Sequence, residues 1–261
     1  GTSAGFKEPM DVAVDSNGNV FVTTASRRVR KITPLRVVTT LAGSDAVGFA
    51  DGTGTNATFS FIQGIAIDGL DNIYVADLSN HAIRKISQTG IVTTFAGTGV
   101  QGFSDGTGTL ASFNIPSDLT FDNINNAYVT DFNNNRIRKI TPSGVVSTYV
   151  GSGNFQYVDG FGTSASFKGP RGIAFDQSGN LYVSEEQNSR IRKIQGSNKK
   201  LVGDPTAQLG NHNVTLTASD GIGGSATQSF TISITDVTAP AFVSPNKVNF
   251  AENGTASNCS N

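Results

Sequence analysis

The tripeptide Arg-Lys-Ile begins at Arg30, Arg84, Arg138 and Arg192, each copy 54 residues after the last. A fixed period of this length means a chain built from one repeated unit, which buries its apolar faces only against copies of itself. The units run Asp11 to Gly43, Gly64 to Gly97, Asp118 to Gly151, and Gly172 to about Ile194. Each opens with a short apolar run (DVAVD, GIAID, DLTFD, GIAFD), turns through Asn and Gly, and continues as NVFVT, NIYVA, NAYVT or NLYVS. A polar loop leads to RRVRKIT, HAIRKIS, NRIRKIT or SRIRKIQ, and the fourth run is RVVTTLAG, GIVTTFAG or GVVSTYVG. Short β-branched or aromatic runs separated by Gly, Asn and Asp read as strands joined by hairpins. No window of ten or more residues holds a 3.6-residue apolar period, so the unit is a four-stranded antiparallel meander.

Such a sheet has two apolar faces and two open edges, and radial stacking of blades about an axis covers the faces. The fold class is therefore all-β, a β-propeller of about four blades. The period exceeds that of the shorter propeller repeats because a Gly-rich connector, G-F-x-D-G-x-G-T-x-A-x-F, runs from Gly43, Gly97 and Gly151 to Phe59, Phe113 and Phe167. It is expected to form a small hairpin or ordered loop, with its last Phe plugging the gap between adjacent sheets.

The strings NIYVADLSNHAIRKI, VTDFNNNRIRKI and VSEEQNSRIRKI resemble the NHL repeat, in the variant that carries this connector. The resemblance covers residues 1 to about 196 and implies a propeller, commonly six-bladed. Repeat one departs from the pattern with Thr24 where Asp77 and Asp131 stand, and repeat four has Glu185 there. Beyond residue 196 the text changes. NHNVTLTASDGIGGSATQSFTISITDV reads as two alternating strands across a Gly-rich turn and resembles the closing half of bacterial immunoglobulin-like or cadherin-like modules, a partial β-sandwich. The chain accordingly divides into a propeller section at 1–198, a partial sandwich module at 199–237, and a linker with the start of a further module at 238–261. The fourth strand of blade four is missing from this reading. GTSAGFKEP at 1–9 matches GTSASFKGP at 162–170, so an earlier blade is expected before residue 1.

Twelve of the 19 basic residues lie on the third strands or their approaches. They form either a cationic ring for RNA, glycans or acidic protein, or Arg–Asp pairs inside each blade (Asp77 with Arg84, Asp131 with Arg138) beside solvated Lys heads. Repetition in every blade favours the second reading. Nucleic-acid binding also needs stacking aromatics, and only Phe132 offers one in the loops between the second and third strands. Asp15, Asp68, Asp122 and Asp176 suit turn chemistry better than metal ligation. Asp51, Asp105 and Asp159 of the connectors leave a calcium reading open. With His81 and His212 the only histidines, a two-His zinc site within the propeller is excluded, and no Ser-His-Asp arrangement has a spacing logic. No catalytic residue and no cofactor is assigned.

The positions at which the repeats disagree are the better functional clue. They fall on two loops that leave the same face of a propeller: Met10, Gln63, Ser117 and Arg171 where strand one begins, and Arg27, His81, Asn135 and Ser189, with Phe132 and Glu186, between strands two and three. Loops on a rigid scaffold commonly carry binding. This face is expected to bind a protein or glycan, and Asp220, Asp236 and Glu252 of the tail are weak calcium candidates. The expected role is a non-enzymatic binding or adhesion module of a larger secreted or surface-exposed bacterial protein, next to other domains of the same chain. A lyase- or lactonase-type enzyme with further blades and a plain structural spacer are the alternatives. No apolar run is long enough for a transmembrane helix.

Overall fold

The structure, a computed structural model, describes residues 5–195, 200–202, 210–219 and 225–234. The chain divides into two compact units between Asp204 and Pro205.

The first unit is a run of four antiparallel blades. Blade one consists of β1 (Pro9–Val14), β2 (Val20–Thr24), β3 (Arg28–Ile32) and β4 (Val38–Ala42) in sequential order. Blade two adds a two-residue outer strand, β5 (Gly52–Thr53), to β6 (Ile62–Ile67), β7 (Ile73–Asp77), β8 (Ala82–Ile86) and β9 (Ile91–Ala96). Blade three repeats this with β10 (Gly106–Thr107), β11 (Pro116–Phe121), β12 (Ala127–Asp131), β13 (Arg136–Ile140) and β14 (Val145–Val150). Blade four has β15 (Gly160–Phe161), β16 (Pro170–Phe175), β17 (Leu181–Glu185), β18 (Arg190–Gln195) and β19 (Lys200–Val202). The propeller arrangement of four-stranded meanders is as the repeat predicts.

Two details differ from the sequence reading. The connector does not stay between blades: its Gly-Thr or Gly-Phe step pairs with the fourth strand of the following blade, Gly52 opposite Val92 and Gly106 opposite Val146. Blade four is also not short of a strand. Lys200–Val202 pairs with β18 and receives β15, so the propeller section extends past residue 198. The three-residue strand lacks the β-branched text of its counterparts, and the ladder alone defines it.

The inner strands β1, β6, β11 and β16 stand side by side, and the core fills the gaps between sheets. Phe59 is fully buried among Phe21, Val29 and Ala42 of blade one and Ile65, Ile73 and Val75 of blade two. Phe113 and Phe167 fill the next two gaps in the same way. The connector's last Phe is thus the expected plug, and removing a ring so enclosed costs about 3–5 kcal/mol. Strands two of the middle blades are buried on both faces, which is why they open on apolar runs without alternation, Ile73 to Ala76 and Ala127 to Val129. Gly43, Gly97 and Gly151 open each connector with positive φ. A Cβ there would meet the carbonyl oxygens of Arg27, His81 and Asn135 at 2.1, 2.6 and 2.8 Å.

In the second unit β20 (Gly210–Ser219) pairs with β21 (Ser225–Ile234) as one antiparallel ladder, Gly210 opposite Ile234 and Ser219 opposite Ser225. The two strands fall where alternation places them. Asp220, Asp236, Glu252 and the segment 238–261 lie outside the described residues.

Candidate binding site

The repeated arginines are scaffold. Arg84 is fully buried; its Nη1 donates to Asp77 Oδ2 at 3.0 Å and Thr58 O at 3.2 Å, its Nη2 to Asp51 Oδ1 at 2.7 Å and Ala50 O at 3.0 Å. Arg138 repeats the pattern with Asp131, Ser112 O, Asp105 and Ser104 O. Arg192 does so with Glu185, Ser166 O, Asp159 and Val158 O. The in-blade pair was legible; the connector's share was not. Its aromatic residue (Phe49, Phe103, Tyr157) stacks on the same guanidinium at 4.8, 4.7 and 4.3 Å, while its Asp supplies the outer carboxylate. The Asp of Asp-Gly-x-Gly-Thr (Asp51, Asp105, Asp159) therefore holds an arginine. Burial pushes the Asp77 and Asp131 carboxyls upward, and the amides of Asn80 and Asn134 with the guanidinium oppose it. The lysines next in line are not simply solvated: Lys31, Lys85, Lys139 and Lys193 lie over Phe21, Tyr74, Tyr128 and Tyr182 at 5.4–5.6 Å.

The first-turn aspartates are engaged by their own hairpins. Asp15 Oδ1 accepts from the backbone N–H of Asn17 and Asn19, and Oδ2 from the Asn19 amide; Asp68, Asp122 and Asp176 repeat this.

The residues that fail to repeat behave differently. Met10, Gln63, Ser117 and Arg171 line one cavity of about 260 Å³ where the four inner strands begin, together with Asp11, Gly64, Asp118, Gly172 and Ser184. The backbone sets this up. Each inner strand slips register at its start, between Pro9 and Asp11, Ile62 and Ile65, Pro116 and Leu119, and Pro170 and Ile173. A bulge re-aims the side chains beside it. The bulged carbonyls are tied to the preceding blade: Thr23 Oγ1 donates to Gln63 O at 2.6 Å and Thr130 Oγ1 to Arg171 O at 2.8 Å. Arg171 is then held by Glu186 of its own blade, and Gln63 Oε1, turned toward the guanidinium, accepts from its Nη2 and Nε at 3.0 Å. Both charges of the Arg171–Glu186 pair are nearly half exposed, 44% and 47%, so the pair orients the side chains more than it stabilises the fold.

Sequence reasoning missed the acidic lining. Asp11 Oδ2 accepts from Ile65 N and Asp118 Oδ2 from Ile173 N, both at 2.9 Å, so each carboxylate stitches its blade to the next. Burial pushes Asp118 up to about 7, with the charge of Asp11 adding to the effect and the N–H groups of Ile173 and Leu119 opposing it. The available signal was the alternation Asp, Gly, Asp, Gly at the head of the four inner strands. Gly64 is required there because a Cβ would meet Asp118 Oδ1 at 2.5 Å.

The second loop set divides. Arg27, His81, Asn135 and Ser189 all take the left-handed conformation that ends the turn after strand two. His81 Nδ1 accepts from Ile115 N at 3.1 Å and Asn135 Oδ1 from Gly169 N at 3.1 Å, each across to the next blade. These two are interblade fastenings, and burial lowers the His81 pKa while the Asp77 charge raises it. Arg27 Nη1 donates to Asp45 O. Phe132 is half-buried against Gly169, and Glu186 pairs with Arg171, which lines the cavity. Among the described residues no group of three His, Cys, Asp or Glu is placed to hold a metal, and no helix is long and apolar enough to cross a membrane.

Four-stranded meanders stacked on interblade Phe plugs, with an Arg clamped in three of the four repeats, define an NHL-type propeller. Residues 48–196 match the Teneurin NHL domain, and the chain belongs to that family. It is 30% identical to NHL repeat-containing protein 2 of Gallus gallus, over 75% of this chain and 31% of that protein. To the chloroplastic Protein SUPPRESSOR OF QUENCHING 1 of Arabidopsis thaliana it is 30% identical over 63% of this chain and 17% of that protein. The chain thus spans under a third of these curated relatives. Among solved structures, an auxiliary nutrient binding protein from Bacteroides ovatus superposes with a TM-score of 0.59 at 23% identity, covering 75% of this chain and 48% of that one. A streptogramin B lyase does so with a TM-score of 0.55 at 16% identity, covering 78% and 57%. At these identities the likeness is one of fold.

Proposed function

We propose that the chain is a non-enzymatic binding module that takes a protein or glycan partner at the inner cavity, as part of a larger secreted or surface-exposed bacterial protein. The observation that carries this reading is the separation of roles by position. Residues that repeat are consumed by clamps and turns, while Met10, Gln63 and Arg171, which do not repeat, come from three blades to one mouth. The binding role draws further support from the auxiliary nutrient binding proteins of Bacteroides that share the fold. A lyase or lactonase reading gains nothing from the one histidine of the propeller, since His81 faces the backbone of the next blade. The test is a glycan and peptide array probed with the whole chain and with Arg171→Ala and Gln63→Ala. Capture that falls at least tenfold in Arg171→Ala supports the reading. Capture unchanged in both variants removes the cavity from it, and no capture at all favours a structural spacer.

A further inference from the structure

The four blades meet at three junctions, and one of them is open. On the face carrying the turns between strands one and two, the first two junctions are fastened by the same contact. At the first, Ser16 N donates to Asp71 Oδ1 at 3.0 Å. At the second, Gly69 N donates to Asn125 Oδ1 at 2.7 Å. The donor is the residue after the turn Asp of one blade, and the acceptor is the residue three after the turn Asp of the next. At the third junction the donor position is Asn123 and the acceptor position is Gly179, which has no side chain. The backbone is otherwise alike: φ is 60° at Asp71, 62° at Asn125 and 77° at Gly179. The missing fastening is a matter of one side chain.

A cleft of about 510 Å³ lies there, within the range of ligand-sized pockets. Its apolar wall is Phe121, Tyr128, Tyr149 and Phe175; the Tyr128 ring meets Tyr149 edge-on at 4.8 Å and Phe175 at 5.1 Å. Its rim is Asp122, Asn123, Asp176, Gln177 and Ser178, with Asn123, Gln177 and Ser178 exposed. We infer that this cleft is a second binding site and that its ligand is a neutral saccharide.

The chemistry follows from what the walls offer. Phe121 and Phe175 are the half-buried rings of this wall, and the negative quadrupole of an aromatic ring attracts the polarised C–H face of a sugar ring. Amide and hydroxyl groups on the rim both donate and accept, as sugar hydroxyls require. A cationic ligand fits less well, because the acids are already served. Asp122 receives two backbone N–H groups, the Asn126 amide and the Tyr128 hydroxyl. Asp176 receives the same turn contacts and lies in the field of Lys193, while Lys139 sits over the Tyr128 ring. The site is separate from the inner cavity and shares no lining residue with it.

Gly179→Asn tests the inference directly. A Cβ at Gly179 meets nothing within 4 Å, Asn tolerates the left-handed region, and Asn125 already makes the contact at the second junction. The whole chain would be titrated with cellobiose, maltose and lactose, and separately with tetramethylammonium, following backbone amide shifts by NMR. At least one saccharide is expected to shift the Asn123, Ser178 and Gly179 amides, with affinity at least tenfold weaker in Gly179→Asn. Should that variant not fold, Phe175→Ala carries the same tenfold expectation. No shift with any of the three sugars, shifts with tetramethylammonium in their place, or wild-type affinity in the variants overturns the inference. Saccharide shifts confined to Gln63 and Gly172 overturn it as well, while leaving the inner-cavity reading intact.

Discussion

Blade one and blade three carry nearly the same text and live in different surroundings. Arg30 and Arg138 occupy one register position, opposite Val22 and Val129. Arg138 is fully buried between Asp131 and Asp105 and faces Phe103 and Phe113. Arg30 donates to Gly5 O and Thr39 O and lies 5.5 Å from the Phe6 ring, and Thr24 replaces the inner carboxylate. The third strand alone does not make an arginine structural. The clamp is assembled by the second strand, which supplies the inner acid, and by the connector ahead of the blade, which supplies the outer acid and the ring.

The largest expected effect breaks this difference open. Arg138→Ala leaves Asp131 buried without its counter-charge, which costs about 3–5 kcal/mol. For a domain of this size that is a fall in melting temperature on the order of 10 °C. Arg30→Ala should stay below about 1 kcal/mol, because its contacts are two carbonyls and a ring, and it leaves no buried carboxylate unpaired. Thermal unfolding by circular dichroism compares the two, and equal losses would show that the clamp contributes nothing beyond local packing.

Asp118 sharpens the comparison at the inner cavity. Its folded-state pKa, about 7, lies above the ordinary carboxylate value of 3.8. A raised carboxyl contributes stability that is present below the ordinary value and lost as pH rises through the folded one. Stability should therefore decline between about pH 4 and 7 by about 2–4 kcal/mol from this group. Asp118→Asn carries a constant cost, since an amide cannot accept from both Leu119 N and Ile173 N. It should nevertheless flatten the slope, read as melting temperature at pH 5 and pH 8. An unchanged slope would place the titration elsewhere.

The repeat register, the meander, the turn aspartates and the plugging Phe were legible because each is written locally and three or four times over. The Asp77–Arg84 pair was legible for the same reason, lying across one hairpin. What escaped reading depends on contacts across a connector or a junction. Phe49 and Asp51 grip an arginine more than thirty residues on, Asp118 reaches Ile173 in the next blade, and Gly179 matters only for the contact its neighbours make. The strand Lys200–Val202 was invisible because its ladder partners, β18 and β15, define it. The non-repeating residues marked the inner cavity but did not separate Gln63 and Arg171, which face it, from His81 and Asn135, which fasten blades.

His81 and Asn135 supply the smallest and most specific test. They occupy equivalent turns in blades two and three and accept from equivalent N–H groups, Ile115 and Gly169. Only one of them titrates. Burial holds the His81 pKa below its ordinary 6.5, against the raising effect of Asp77. A depressed histidine contributes stability that is full above 6.5 and lost as pH falls through the folded value, because a protonated Nδ1 cannot accept from Ile115. The loss is about 1 kcal/mol, the worth of one interblade hydrogen bond. His81→Asn should keep the fastening, since Asn suits the left-handed turn and makes the bond at 135, and should remove the acid-side loss. The quantity to measure is the difference in melting temperature between wild type and His81→Asn at pH 7.5 and pH 5, which cancels the opposite slope from Asp118. A difference that does not grow at pH 5 would mean that the second junction does not depend on this nitrogen.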